Sequence, residues 1–290
     1  MKLQSAVIGF TLGVIVTGCA APRSVIWDGT TMPRGHVQGQ LGMIGSIPTA
    51  TLSALTTSQM DAAKSLLSGE VDSLTNQGAY DNAAKTLVAA GLDMPSATPV
   101  ATVHLGVGWE TEIGYRREGS VNAWSVRRQI LHEQQSGWNG GIGIQYSSQS
   151  YELPSALGKI QSTLGYSFDR KDILVPLVFS KPFGTKGNLG SGTIGLVGGW
   201  TKINYGFDPK GLYRTWGGSV EALERLPNQE SSFMSFGATG MLRGGYKHVW
   251  VLVGLTTYWQ DYGSYVVPGS DPVELSGFSI LPALGLEIRI

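Results

Sequence analysis

The stretch LGLEIRI, residues 284–290, indicates the fold class because its side chains alternate strictly between two kinds. Every second residue is Leu or Ile, and the residues between them are Gly, Glu and Arg. Successive side chains of a β-strand point to opposite faces, so this period of two predicts a strand with one apolar face. The same alternation recurs at 102–107, 111–116, 142–147 and 249–255. The sequence therefore predicts an all-β protein built from amphipathic strands.

The composition favours strands that cross a membrane. Glycine supplies 41 of 290 residues and charged residues only 14%, whereas soluble domains average about 7% and about 25%. After the N-terminal twenty residues, no uncharged apolar run reaches eighteen residues, so membrane-spanning helices are not expected. Backbone polar groups in lipid must be paired internally, which leaves the closed barrel as the remaining spanning structure. We therefore predict an antiparallel transmembrane β-barrel.

The strand number is less well determined than the fold class. A lipidated N-terminus and a barrel C-terminus on the same side of the membrane require an even number, so we predict twelve strands, with ten as the alternative. The main rival fold is a soluble lipoprotein with a β-sandwich or a lipocalin-like barrel, which would carry polar residues on most outward faces. Eleven segments show the strand pattern: 35–48, 98–107, 110–118, 121–131, 138–151, 172–183, 192–206, 214–225, 231–244, 248–261 and 278–290.

Residues 54–95 differ from the rest of the chain and predict a helical insertion after the first strand. Thr57 or Ser58 can cap a helix that ends at Gly69, and Asp81 can cap a second helix with Gly91 as its C-terminal stop. Ala, Lys, Gln and Leu, which are common here, are good helix formers. The insertion could plug the lumen, cover an opening or bind a partner, although simple local packing is the preferred interpretation.

The first nineteen residues have the organisation of an export signal. Lys2 is followed by an uncharged apolar run from Ala6 to Val16, which is too short to span a bilayer. The run leads through small residues to Cys19, the only cysteine. This ending resembles the lipobox of bacterial lipoproteins. The resemblance implies cleavage before Cys19, covalent acyl chains on that residue, and, since Ala20 is not Asp, transport to the outer membrane.

The mature chain resembles bacterial outer-membrane β-barrel proteins in its strand pattern over 35–53 and 97–290. Those proteins commonly end on a complete amphipathic strand, as this chain does, but with Phe or Trp where this sequence has Ile290. The resulting organisation is a signal peptide at 1–18, a lipidated N-terminus and linker at 19–34, and a barrel domain at 35–290. The expected location is the bacterial outer membrane, with Cys19 as the anchor.

Charged residues on the strands set the register of the predicted barrel. An Arg or Lys facing lipid near mid-membrane costs about 2–4 kcal/mol, which favours the register that turns such residues inward. Ile113 and Val126 then face lipid. The inward set has both signs, which suits either an ion-paired filled interior or a water-filled path. The predicted lumen-facing residues are Glu112, Arg116, Arg127, Gln145, Glu221, Arg225, Arg243, Glu287 and Arg289.

Motifs of enzymes and of cofactor sites are absent or stand in the wrong context. Residues 190–195 match GxGxxG, but the segment continues as a strand where the dinucleotide fingerprint needs a helix. The four histidines show no metal-ligand spacing, and a lone His104 is more often structural than catalytic. A net charge of zero gives no basic footprint for nucleic acid. We expect no catalytic residues, no metal and no cofactor.

Two functions remain for the predicted barrel, and an enzyme barrel is a distant third. The first is a passive channel or an export component for small polar solutes. The second is a closed structural barrel that binds a protein partner through its loops or its helical insertion. The pore along the barrel axis is the feature that distinguishes them.

Overall fold

The computed structural model describes residues 21–54, 77–150, 161–162, 165–184, 189–208, 226–267 and 270–290. They form ten antiparallel strands in one sheet, and β1 pairs with β10 to close it into a barrel. The strands are β1 (Val37–Pro48), β2 (Ser96–Gly108), β3 (Thr111–Glu118), β4 (Val121–Leu131), β5 (Asn139–Ser150), β6 (Ser167–Phe183), β7 (Gly190–Phe207), β8 (Leu226–Tyr246), β9 (Val249–Val267) and β10 (Ser270–Arg289).

The predicted fold class is confirmed, with a correction to the strand number. The barrel has ten strands, which was the alternative, so the preferred value of twelve is wrong. The closed ring leaves no free edge at which further strands could pair. The predicted strand at 214–225 lies outside the described residues, and β8 begins directly after it at Leu226. The even number places the start of β1 and the end of β10 at the same rim.

The outward faces decide between a membrane barrel and a soluble one. Every strand exposes large apolar side chains, for example Leu41 on β1, Ile144 on β5 and Val253 on β9. Ile113 and Val126, paired across β3 and β4, are also exposed. Such a belt suits lipid and excludes the soluble rival, whose outward faces would be mostly polar. Within the described residues, no helix combines the length and the apolar character needed to cross a bilayer.

The two rims of the barrel differ. The terminal rim holds the start of β1, the end of β10 and four connections of seven residues or fewer. Trp109 and Glu110 form one of these, a two-residue hairpin with φ of 48° and 56°, as primed turns require. The opposite rim, which we term the insertion rim, holds the connection from β1 to β2 and the longer connections at 151–166 and 208–225. Bacterial barrels show the same contrast between short turns and long loops.

The insertion contains two described helices, α1 (Thr49–Ala54) and α2 (Gln77–Leu92). The helix predicted to end at Gly69 lies outside the described residues. The second predicted helix exists but begins before Asp81 and continues through Gly91, so neither residue has its predicted capping role. Gly91 instead meets a packing demand, because a Cβ there would lie 2.6 Å from the Tyr166 hydroxyl.

Helix α2 packs inside the barrel wall at the insertion rim. Its Leu87, Val88 and Leu92 are buried against inward-facing side chains of β6 to β9. The insertion therefore covers this end of the lumen, rather than packing only on itself. The strand residues of this apolar cluster include Phe168, Ile203, Tyr205, Phe207, Phe233, Tyr262 and Tyr265. A third helix, α3 (Glu133–Ser136), is a single turn at the terminal rim.

Candidate functional site

The lumen between α2 and the terminal rim is occupied by the N-terminal segment of the same chain. We term residues 21–32 the plug. Every residue from 21 to 29 is buried, although the segment has no helix or strand of its own. The sequence predicted only a linker here. A segment without regular structure must find partners for its backbone polar groups elsewhere, and the barrel wall supplies them.

Side chains from eight of the ten strands bond to the plug. The Thr256 hydroxyl accepts a hydrogen bond from the Val25 amide at 3.0 Å, and the Thr239 hydroxyl donates one to the Val25 carbonyl oxygen at 3.2 Å. Ser180 accepts the amide of Gly29 at 2.7 Å. Because these partners surround the segment, the plug is held along its length and from opposite sides of the barrel.

The end of the plug nearer the insertion rim is fixed by a buried cation. Arg23 pairs with Asp93, which follows α2, and also donates to Gln260 on β9. Burial by itself would raise the pKa of Asp93, but the positive charges of Arg23 and Arg170 lower it below its ordinary value. The Tyr258 hydroxyl donates to the Arg23 carbonyl at 2.6 Å. This end of the plug is therefore joined to the insertion as well as to the wall.

The end nearer the terminal rim is fixed by a buried anion. The Asp28 carboxylate pairs with Arg243 and lies 2.8 Å from Nη2 of Arg289. Nη1 of Arg127 lies 3.9 Å from the same carboxylate and donates to the Asp28 carbonyl at 3.2 Å. Beside it, the Trp27 ring lies 5.8 Å from the Arg127 guanidinium. Three arginines thus converge on one carboxylate of the plug.

A tight turn returns the chain from the plug to the wall. The His36 amide donates to the Pro33 carbonyl at 3.0 Å, and Gly35 between them has φ of 82°. That conformation favours glycine, so Gly35 permits the reversal into β1. The plug consequently enters β1 at the terminal rim, while Ala21 lies deeper in the barrel, toward the insertion rim.

Most of the predicted lumen-facing residues lie inside the barrel. Glu112, Arg116, Arg127, Gln145, Arg243 and Glu287 are buried there. Arg289 is one-fifth exposed near the terminal rim and pairs with Glu287 and Asp28. Glu221 and Arg225 lie outside the described residues, as does Cys19. His104 is buried beside Glu112, with its Nδ1 2.8 Å from the carboxylate.

Comparisons with known proteins add only a general likeness in fold. No protein-family model and no curated protein matches the chain. Among solved structures it is similar to Ail, the attachment invasion locus protein of Yersinia pestis, at 9% identity and a TM-score of 0.35, over 89% of this chain and 99% of that one. Neisserial surface protein A is similar at 9% identity and a TM-score of 0.34, over 87% of this chain and 95% of that one. The outer membrane protein OprG of Pseudomonas aeruginosa is similar at 8% identity and a TM-score of 0.35, over 91% of this chain and 99% of that one.

The plug is the feature that reasoning from sequence missed. Its few signals are an isolated Arg23 and an isolated Asp28 around the apolar run Val25, Ile26 and Trp27. A linker exposed to solvent does not require such a run, so its presence next to a predicted barrel could have indicated burial. The GxGxxG segment lies in strand β7, as its apolar residues predicted. Among the described residues, no group of three potential ligands forms a metal site.

Proposed function

We propose that the protein is an outer-membrane barrel that is closed at rest by its own N-terminal segment. Of the two functions that the sequence left open, this is the closed barrel that presents its insertion rim to a partner. The observation that carries the proposal is the complete burial of residues 21–29 among bonds from eight strands. An open passive channel would need this volume free.

A gated channel is the second candidate, and the character of the wall favours it. The side chains that face the plug include many small or polar ones, such as Gln40, Thr102, Ser180 and Thr239, beside the apolar residues that contact Val25, Ile26 and Trp27. At Gly143 the wall has no side chain at all where Trp27 packs. These residues do not fill the barrel by themselves, so withdrawal of the plug would leave a polar path on this side of α2.

Conductance in planar lipid bilayers tests the proposal. We expect no steady current through the wild-type protein, because the plug and α2 occupy the lumen in series. Steady current through the wild type would contradict the closed barrel. A variant that lacks residues 21–31 separates the two candidates. Current through an assembled deletion variant supports the gated channel, whereas an assembled variant without current removes that candidate and leaves the closed barrel.

The location and the anchor are part of the same proposal. An export signal, a lipobox-like Cys19 and an apolar belt on every strand together support the outer membrane. Cys19 precedes the buried Ala21 by two residues, a reach of about 7 Å. Pro22 and Ser24 accept bonds from Gln145 on β5 and Arg116 on β3. The plug thus begins beside β3, which has only 8 residues and is the shortest strand of the barrel.

The anchor itself is a prediction from the lipobox-like ending of the export signal. Mass spectrometry of the mature N-terminus tests the anchor: it should start at Cys19 with acyl groups, and Cys19→Ser should abolish them. A mature chain that begins elsewhere without lipid would contradict the lipoprotein hypothesis.

A further inference from the structure

The charged side chains that the structure describes in the lumen fall into two layers, and the charges of neither layer sum to zero without the plug. The terminal layer has three arginines and two glutamates, and the insertion layer has two arginines and three acids. Asp28 supplies the missing negative charge to the first, and Arg23 supplies the missing positive charge to the second. The terminal layer comprises Glu112, Arg127, Arg243, Glu287 and Arg289; the insertion layer comprises Asp93, Arg116, Glu118, Arg170 and Asp172.

The carboxylates of the terminal layer are already well provided with donors. Glu287 accepts from Gln38 at 2.7 Å and from Gln40 at 2.9 Å, in addition to its arginine partners. Glu112 accepts the Met32 amide at 2.9 Å and pairs with Arg127. Donors of the arginines remain in excess, and Nε of Arg243 is buried without a hydrogen-bond partner among the described residues.

Asp28 contacts these arginines in the way that a bound anion contacts the residues of its binding site. Its carboxylate meets guanidinium groups from β4, β8 and β10, and the Thr30 hydroxyl and amide donate to it at 2.8 and 3.1 Å. Guanidinium groups hold carboxylate and phosphate oxygens through charge-assisted, often paired hydrogen bonds. The wall contributes the arginines, and only the covalent connection to the plug makes the carboxylate internal.

We propose that Arg127, Arg243 and Arg289 form a binding site for a small solute with a carboxylate or phosphate group, and that Asp28 occupies this site in the closed state. The inference rests on the proposed closed barrel. A solute of this class competes with Asp28, and its binding favours release of the plug. In this way the closure responds to the chemistry of the solute.

Chemical rescue tests the site directly. Asp28→Ala removes the internal carboxylate and leaves space that formate can enter. We expect formate to raise saturably, by about 2–4 °C, the temperature at which the assembled variant unfolds in SDS. Phosphate is tested in the same way: rescue by formate alone indicates carboxylate solutes, by phosphate alone indicates phosphorylated ones, and either supports the site.

Three controls distinguish a site from a general salt effect. Arg23→Ala loosens the plug at its other end but keeps Asp28 in competition with the anion, so formate should shift it much less than it shifts Asp28→Ala. The double variant Asp28→Ala/Arg243→Gln lacks the excess positive charge and should not respond. Formamide, which is neutral, should have no effect on Asp28→Ala. Equal shifts in Asp28→Ala and Arg23→Ala, or no shift by formate or phosphate in an assembled Asp28→Ala barrel, overturn the proposal.

A second measurement uses the wild-type protein and does not depend on assembly of a variant. Arg23 is a trypsin site that the closed lumen shields. Cleavage after Arg23, seen as a chain that starts at Ser24, should increase with added formate or phosphate and not with formamide. If cleavage does not increase with either anion, the proposed competition is wrong. If the wild-type protein conducts a steady current while formate or phosphate still stabilises Asp28→Ala, the closed barrel is wrong but the anion site stands.

Discussion

The two halves of the lumen are closed by different kinds of contact. At the insertion rim, α2 packs against aromatic and aliphatic side chains of four strands, with Leu87 and Leu92 completely buried. Toward the terminal rim, Val25, Ile26 and Trp27 of the plug pack in two smaller apolar clusters, while hydroxyl, amide and charged groups of the wall bond to its backbone and to Asp28. One half therefore resembles the core of a soluble domain, and the other combines smaller apolar contacts with an occupied polar binding site.

This difference predicts how each closure can open. Buried apolar side chains contribute about 1.5–3 kcal/mol each relative to exposure, and nothing in water replaces that contribution. A hydrogen bond contributes only about 0.5–1.5 kcal/mol net, because water can replace the partner. The α2 half, which has the larger apolar cluster, should therefore be harder to open than the plug half. The plug half should be able to open while the strands remain paired.

The largest effect is expected in the apolar half. Leu87→Ala leaves a cavity in the α2 cluster and should lower the free energy of unfolding by about 2–5 kcal/mol. Urea unfolding in lipid vesicles measures it. Leu52→Ala on α1 is the matched control, because Leu52 is 46% exposed and its removal leaves no cavity. Equal losses in the two variants would show that α2 does not contribute a core.

A smaller and more local effect is expected in the plug half. A Cβ at Gly143 would lie 2.5 Å from the Trp27 ring, so Gly143→Ala should push the plug away from the wall. Overpacking costs about 1–3 kcal/mol; a cost of 1–2 kcal/mol corresponds to a roughly 5- to 30-fold change in an equilibrium. Trypsin cleavage after Arg23 should rise accordingly, with the urea midpoint nearly unchanged.

Gly254→Ala is the control for that prediction. Gly254 also faces inward, but a Cβ there would meet nothing closer than 3.7 Å. The variant should therefore keep wild-type protection of Arg23. A fall of the Gly143→Ala urea midpoint as large as that of Leu87→Ala would show that the plug unfolds with the barrel, and that the two halves form one cooperative unit.

The smallest effect is expected from mild acid. The pKa of Asp93 is lowered in the folded protein, so its pairing with Arg23 contributes stability above the ordinary carboxyl pKa and loses it only below that value. Hydrogen exchange of the Arg23 amide, corrected for its intrinsic pH dependence, should thus be unchanged between pH 7 and pH 5. Loss of protection within that range would mean that Asp93 is not the group that holds Arg23.

The strands were predictable because their signal is local. The alternation at 111–116 places Ile113 outward and Glu112 and Arg116 inward, and the structure has the same register. The boundary between the predicted strands 98–107 and 110–118 corresponds to the two-residue turn at Trp109 and Glu110. The number of strands was not predictable in this way, because the pattern shows which segments can form strands and does not show which segments pair.

The plug could not be predicted in the same way. Residues 21–32 have no periodicity, since their conformation follows the wall around them rather than a regular hydrogen-bond ladder. Their partners are far apart in the chain: Arg23 meets Asp93, 70 residues away, and Asp28 meets Arg289, 261 residues away. Only closure of the barrel brings these charges together.

The sequence by itself determined the strand class and the two faces of each strand, because each depends on neighbouring residues. The tertiary structure decided that ten strands close the ring, that α2 covers one end and that the N-terminal segment fills the other. Those outcomes depend on which distant groups meet inside the ring. A buried Asp28 is stable only beside its arginines, and their convergence is a property of the closed barrel.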